Sequence, residues 1–161
     1  MKIKYDPHVC ESCHQTTTYL VGLDRGSVKI LKQIAQFISK KGINVVHPRK
    51  EMEGRWLTSN QVGNLSRARF HGLIAAVKGN SGNYLLTRKG ADFLKGARIP
   101  RYAIISKSEG HQVGYFDPDN QTCSINDFKA SDEPYWEGIN YDIVEGQVVH
   151  NYLSTNQLSL I

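Results

Sequence analysis

Apolar residues recur at helical spacing from Ser27 to Lys41, where Val28, Leu31, Ile34, Ala35 and Ile38 fall on one stripe. Ser27 supplies a polar N-cap, Lys40 and Lys41 suit the negative end of the helix dipole, and Gly42 supplies the stop. A short apolar run, Ile43 to Val46, ends at Pro48, which opens a second short helix through Met52. A third helix is expected over Ser59 to His71. It places Val62, Leu65, Ala68 and Gly72 on one side and Asn60, Asn64, Arg67 and His71 on the other. Gly72-Leu73-Ile74 then ends the helix and starts a strand, and Asn83 to Thr87 returns as its partner. Between them Gly79-Asn80-Ser81-Gly82 has the composition of a turn that tolerates positive φ. Thr87 caps a last helix sealed by Ala91, Phe93 and Leu94 and closed by Gly96.

Beyond Ala97-Arg98-Ile99-Pro100 the period shortens to that of strands. Tyr102 to Ser106, Gln112 to Phe116 and Gln121 to Ile125 are expected strands, separated by Ser108-Glu109-Gly110 and Asp117-Pro118-Asp119-Asn120. A later pair, Ile139 to Val144 and Gln147 to Tyr152, turns at Glu145-Gly146. The expected class is α+β, with a helical domain carrying a β-hairpin, followed by a small antiparallel β module. The expected boundaries are an N-terminal cysteine segment at 1–24, the helical domain at 25–98, the β module at 99–153 and a tail at 154–161.

The run Asn64-Leu65-Ser66-Arg67-Ala68-Arg69-Phe70-His71-Gly72-Leu73-Ile74, followed by Tyr84-Leu85-Leu86-Thr87-Arg88-Lys89-Gly90-Ala91-Asp92-Phe93-Leu94, resembles the recognition helix, wing and closing helix of the MarR-like winged helix-turn-helix superfamily. The likeness covers about the middle half of the chain. Uncharacterised phage and prokaryotic proteins also pair a Cys-x-x-Cys start with such a domain and a strand-rich tail. The resemblance implies that the exposed face of the third helix enters the major groove, bringing Asn60, Asn64, Arg67 and His71 towards base edges, where Arg suits guanine and Asn suits adenine. Lys78 and Asn80 on the wing, with Arg88 and Lys89 beyond it, would meet phosphates or the minor groove. Arg69 lies near the buried edge and is expected to snorkel. The sequence departs from the family at Gly63, inside the reading helix, at a cost of about 1 kcal/mol relative to Ala.

Charge sharpens this picture. The chain has 161 residues and a formal charge of +5, but residues 1–98 carry 17 Lys/Arg against 6 Asp/Glu, whereas residues 99–161 carry 3 against 9. The first part, at +11, suits a phosphate backbone; the second, at −6, would be repelled by it. Duplex DNA is therefore the expected partner and transcriptional regulation the expected role. The alternative is a protein-interaction module, such as a viral inhibitor or adaptor, that docks a protein through the acidic β module and uses the winged helix as a scaffold. Tyr135 and Trp136 could anchor such a partner or cover the sheet. A homodimer is compatible with either reading.

Candidate chemistry is sparse. His8-Val9-Cys10-Glu11-Ser12-Cys13-His14 offers Cys10 and Cys13, with His8 and His14, to a tetrahedral zinc, although a second Cys-x-x-Cys is missing. The remaining ligands would come from those imidazoles or from distant Cys123, His47, His111 or His150, and the pair equally fits two reduced thiols. Haem attachment through Cys-x-x-Cys-His is not expected, because no export signal precedes it. Asp117 to Asn120 lacks the spaced acids of a calcium loop. Nucleophile elbow, phosphate loop and His-Glu-x-x-His patterns are lacking, so no enzyme is expected. Without an apolar run of membrane-spanning length, a cytoplasmic protein with no membrane partner is expected.

Overall fold

The structure is a computed structural model that describes residues 7–77, 79, 82–110, 112–116, 121–128 and 157–158. Strand β1 (Thr18–Gly22) leads into helix α1 (Arg25–Lys41). The helix begins earlier than its apolar stripe implies. Its N-cap is Asp24, not Ser27, and the Asp24 carboxylate accepts the Ser27 N–H at 2.8 Å. Its end follows expectation: Gly42 takes φ 73° and donates its N–H to the Ile38 carbonyl at 2.8 Å.

A π-helical turn at Pro48–Met52 comes next, then two short helices, α2 (Ser59–Gly63) and α3 (Ser66–Phe70). The expected single helix over Ser59 to His71 is thus interrupted. The Asn64 N–H bonds to the Gln61 carbonyl and the Leu65 N–H to that of Val62, both three residues back, which tightens the chain for one turn after Gly63. The inward side is still the expected one, with Val62, Leu65 and Ala68 buried.

Strands β2 (Ile74–Val77) and β3 (Tyr84–Leu86) form the expected antiparallel hairpin, in the register Ile74↔Leu86, Ala75↔Leu85 and Ala76↔Tyr84. Val46 bridges Tyr84 on the far side of β3, so the apolar run before Pro48 becomes a third, minimal strand. Buried Asn44 secures that edge by accepting the Leu86 N–H at 2.8 Å and donating to its carbonyl at 3.1 Å. Helix α4 (Arg88–Leu94) is capped by Thr87, whose hydroxyl accepts the Gly90 N–H at 3.0 Å and donates to the Gly72 carbonyl at 2.6 Å.

The segment beyond residue 98 does not stand apart. Strand β4 (Ile99–Pro100) is followed by β5 (Tyr102–Ser106) and β6 (Gln112–Phe116), then by β7 (Thr122–Cys123) and a 3-10 turn at Ile125–Phe128. β5 pairs antiparallel with both β6 and β1, so the expected N-terminal segment and the expected β module share one sheet in the order β1-β5-β6. β4 pairs with β7, and Ile99, Cys123, Ile125 and Phe128 close the same core as Leu31, Ile34, Ile38, Leu65, Ile74 and Phe93. Near the C-terminus, β8 (Gln157–Leu158) lies parallel to the outer edge of β2. The expected strands at 139–144 and 147–152, Tyr135, Trp136, and the turn at 117–120 lie outside the described residues. Among the described residues no helix is long and apolar enough to cross a membrane.

Candidate nucleic-acid interface

Thr58 and Gln61 set the start of α2. The Thr58 N–H donates to Gln61 Oε1 at 2.9 Å and the Gln61 N–H to Thr58 Oγ1 at 3.1 Å, so the first turn is satisfied from both ends. With Val62, Leu65 and Ala68 turned inward, Ser59, Asn60, Gly63, Asn64 and Arg67 are left exposed along one side of α2 and α3. Three of the expected reading residues, Asn60, Asn64 and Arg67, therefore share a surface. Asn64 Nδ2 donates to the Asn60 carbonyl at 3.0 Å. A Cβ at Gly63 would touch nothing within 4 Å, so open space faces the middle of this surface.

Arg67 is held at its guanidinium by two interactions. Its Nη1 lies 3.5 Å from Asp24 Oδ2 and 3.4 Å from the Gly22 carbonyl. Burial pushes the Asp24 carboxyl up, but the Ser27 hydrogen bonds and the Arg67 charge outweigh it and leave the pKa below its ordinary value.

His71 does not belong to this face, contrary to expectation. It is fully buried, with Nδ1 3.0 Å from the Arg67 carbonyl and Nε2 3.2 Å from the Arg101 carbonyl. Burial lowers its pKa against the opposing pull of those two carbonyls. The helix ends at Phe70, so His71 leaves the helical spiral and turns towards β5. Tyr115 of β6 donates to the His71 carbonyl at 3.4 Å, and the Arg69 guanidinium, expected to snorkel, donates to the Gly110 carbonyl at 3.2 Å. The second sheet thus braces the C-terminal end of α3 and leaves α2 standing outward.

Lys89 also departs from expectation. Its ammonium sits 4.2 Å from the Tyr115 ring centroid, and burial lowers its pKa to about 8, so it is packed beneath β6 and not extended towards a phosphate. Arg88 lies 3.8 Å from Asp92, one helical turn on. Lys78 and Asn80 lie outside the described residues; their sequence neighbours Gly79 and Gly82 both take positive φ.

Sequence periodicity missed Arg49. Its Nη1 lies 3.4 Å from Ser59 Oγ and 3.2 Å from Glu53 Oε2, which puts a guanidinium beside the first residue of α2. Exposed Lys50 and Arg55 belong to the same approach segment. The ten-residue gap between Arg49 and Ser59 crosses two elements, so no local pattern marks the contact; the one available signal is the basic composition just before the helix.

The N-terminal cysteines form a separate feature. Val9 bridges Thr16, the Cys10 N–H donates to the Gln15 carbonyl at 2.8 Å, and the His14 N–H returns to the Cys10 carbonyl at 2.9 Å. The Cys10 sulfur accepts the N–H groups of Cys13 and Ser12, which lower its pKa. Cys123 is elsewhere, buried in the core, and burial pushes its thiol up to about 11. His47 is also remote, at the π-helical turn, where its Nδ1 accepts the Lys50 N–H at 3.2 Å. His111 and His150 lie outside the described residues.

No family model matches the chain, and neither a curated protein nor a solved structure matches it.

Proposed function

We propose that the protein binds duplex DNA as a small winged-helix transcriptional regulator, with the α2–α3 segment entering the major groove and the β2–β3 hairpin acting as the wing. The observation that carries this reading is the exposure of Asn60, Asn64 and Arg67 along α2, its C-terminal cap and α3, while Val62, Leu65 and Ala68 on the opposite side are buried. Amide and guanidinium groups suit paired hydrogen bonds to adenine and guanine, and the N-terminal part of such a helix is the part that reaches base edges. Arg49 beside Ser59, with exposed Lys50 and Arg55 in the segment before α2, adds a phosphate-holding border, consistent with the +11 balance of residues 1–98. The order of elements supports the same reading: a long helix, a minimal strand, a short helical turn, a two-part helix, a hairpin and a closing helix. Arg67→Ala is expected to cost about 1 to 3 kcal/mol on a preferred duplex and to relax preference at one base pair. Fluorescence anisotropy of the whole chain against duplex libraries at stepped salt concentrations tests this. A folded protein that binds no duplex at low salt overturns the reading.

A further inference from the structure

The Cys10–Cys13 turn is built in a way that the DNA-binding surface does not require. Its hairpin is closed on both sides of the thiols, by the Val9–Thr16 bridge and by the Thr17 N–H donated to the His8 carbonyl at 2.7 Å. His14 adopts φ 59°, the sole positive φ of a non-glycine among the described residues, and this turns the chain sharply back after the second cysteine. Lys107 ties the base of the hairpin to β5, its Nζ donating to Thr16 Oγ1 at 2.6 Å and its N–H to the Thr17 carbonyl at 2.9 Å. The turn is thus a fixed projection, with Cys13 and Val9 exposed on it.

We infer that this turn is a two-thiolate half-site for zinc, completed by the same turn of a second copy of the chain. Tetrahedral zinc needs four donors, and a pair of Cys-x-x-Cys turns related by a two-fold axis supplies four sulfurs. One chain does not complete the set: Cys123 is buried in the core and His47 lies at the π-helical turn. Among the described residues no three histidine, cysteine or acidic groups gather around a common point. Apposed turns would also cover exposed Val9, which sits directly beside Cys10. Each chain gives up two thiol protons as its sulfurs bind the metal, so assembly is proton-linked and involves no change of oxidation state.

The test uses the whole chain purified without chelator, with metal analysis and light scattering on the same sample. About one zinc per two chains and a dimeric mass are expected, with conversion to a metal-free monomer by chelator, by Cys10→Ser or by Cys13→Ser. Replacing zinc with cobalt in the unaltered protein should give the intense visible bands of four-sulfur tetrahedral coordination, a readout that does not depend on the variants folding. One zinc per monomer, a metal-free preparation that takes up no cobalt, or a dimer that survives loss of the metal would each overturn the inference.

Discussion

Arg67 cannot reach a base and keep its full contact with Asp24, so releasing it should strengthen DNA binding. The perturbation is Asp24→Ser. Serine is as good an N-cap as aspartate, so the Ser27 N–H keeps an acceptor and α1 keeps its start, while the carboxylate at 3.5 Å from Arg67 is removed. The two side chains are about half exposed, and an ion pair of that exposure contributes about 0.2 to 1 kcal/mol. That amount no longer has to be given up on binding. A phosphate that came within ~7 Å of the carboxylate would be repelled by about 0.6 kcal/mol in water, which the substitution removes. Together these predict about four- to fifteenfold tighter binding at low salt, shrinking as salt screens the second contribution. Anisotropy titrations of wild type, Asp24→Ser, Arg67→Ala and the double variant, alongside thermal melts, measure it. The gain should be smaller in the Arg67→Ala background, because only the phosphate contribution survives there. Unchanged or weaker affinity in Asp24→Ser, at an unaltered melting temperature, would refute the placement of Arg67 at the DNA surface.

Gly90→Ala tests why glycine occupies the end of the Leu-Thr-x-x-Gly run. A Cβ there would lie 2.1 Å from the Leu73 carbonyl oxygen and 2.9 Å from its carbon, backbone that cannot swing aside, so destabilisation of about 3 kcal/mol or more is expected by urea unfolding. A loss below about 1 kcal/mol would mean that α4 does not press on the start of β2. Lys89→Met tests the buried ammonium. Because its pKa falls from 10.5 to about 8, the native state binds fewer protons than the unfolded state between those values. Wild-type stability should therefore gain up to roughly 3 kcal/mol from this group as pH rises from about 8 to 10.5. Lys89→Met should abolish that component and leave the salt dependence of DNA binding unchanged; a salt slope lowered by about one would instead return Lys89 to the phosphate contacts.

Local pattern made most of the helical part legible. The stripe of α1, its stop at Gly42, the hairpin register around Gly79 and Gly82, the Thr87 cap and the inward turn of Val62, Leu65 and Ala68 all follow from spacing and from glycine's access to positive φ, which act over a few residues. Of the candidate surface, Asn60, Asn64 and Arg67 were readable for the same reason. His71 was misplaced because a 3.6-residue period holds only while the helix continues, and the helix ends one residue earlier.

What the sequence by itself determined is therefore which residues turn inward within each element and where most elements stop, since those depend on periodicity and caps. Only the tertiary structure decided how the ends of the chain are used. The pairing of β1 with β5 spans about eighty residues or more, and the contacts of Gly22, Arg101, Gly110 and Tyr115 with α3 and His71 come from two strands, the link between β4 and β5, and a turn. Such contacts leave no local period to read. They tie the expected β module to the C-terminal end of α3, and they draw Lys89 beneath Tyr115, because long-range packing and desolvation, not spacing, set where those side chains end.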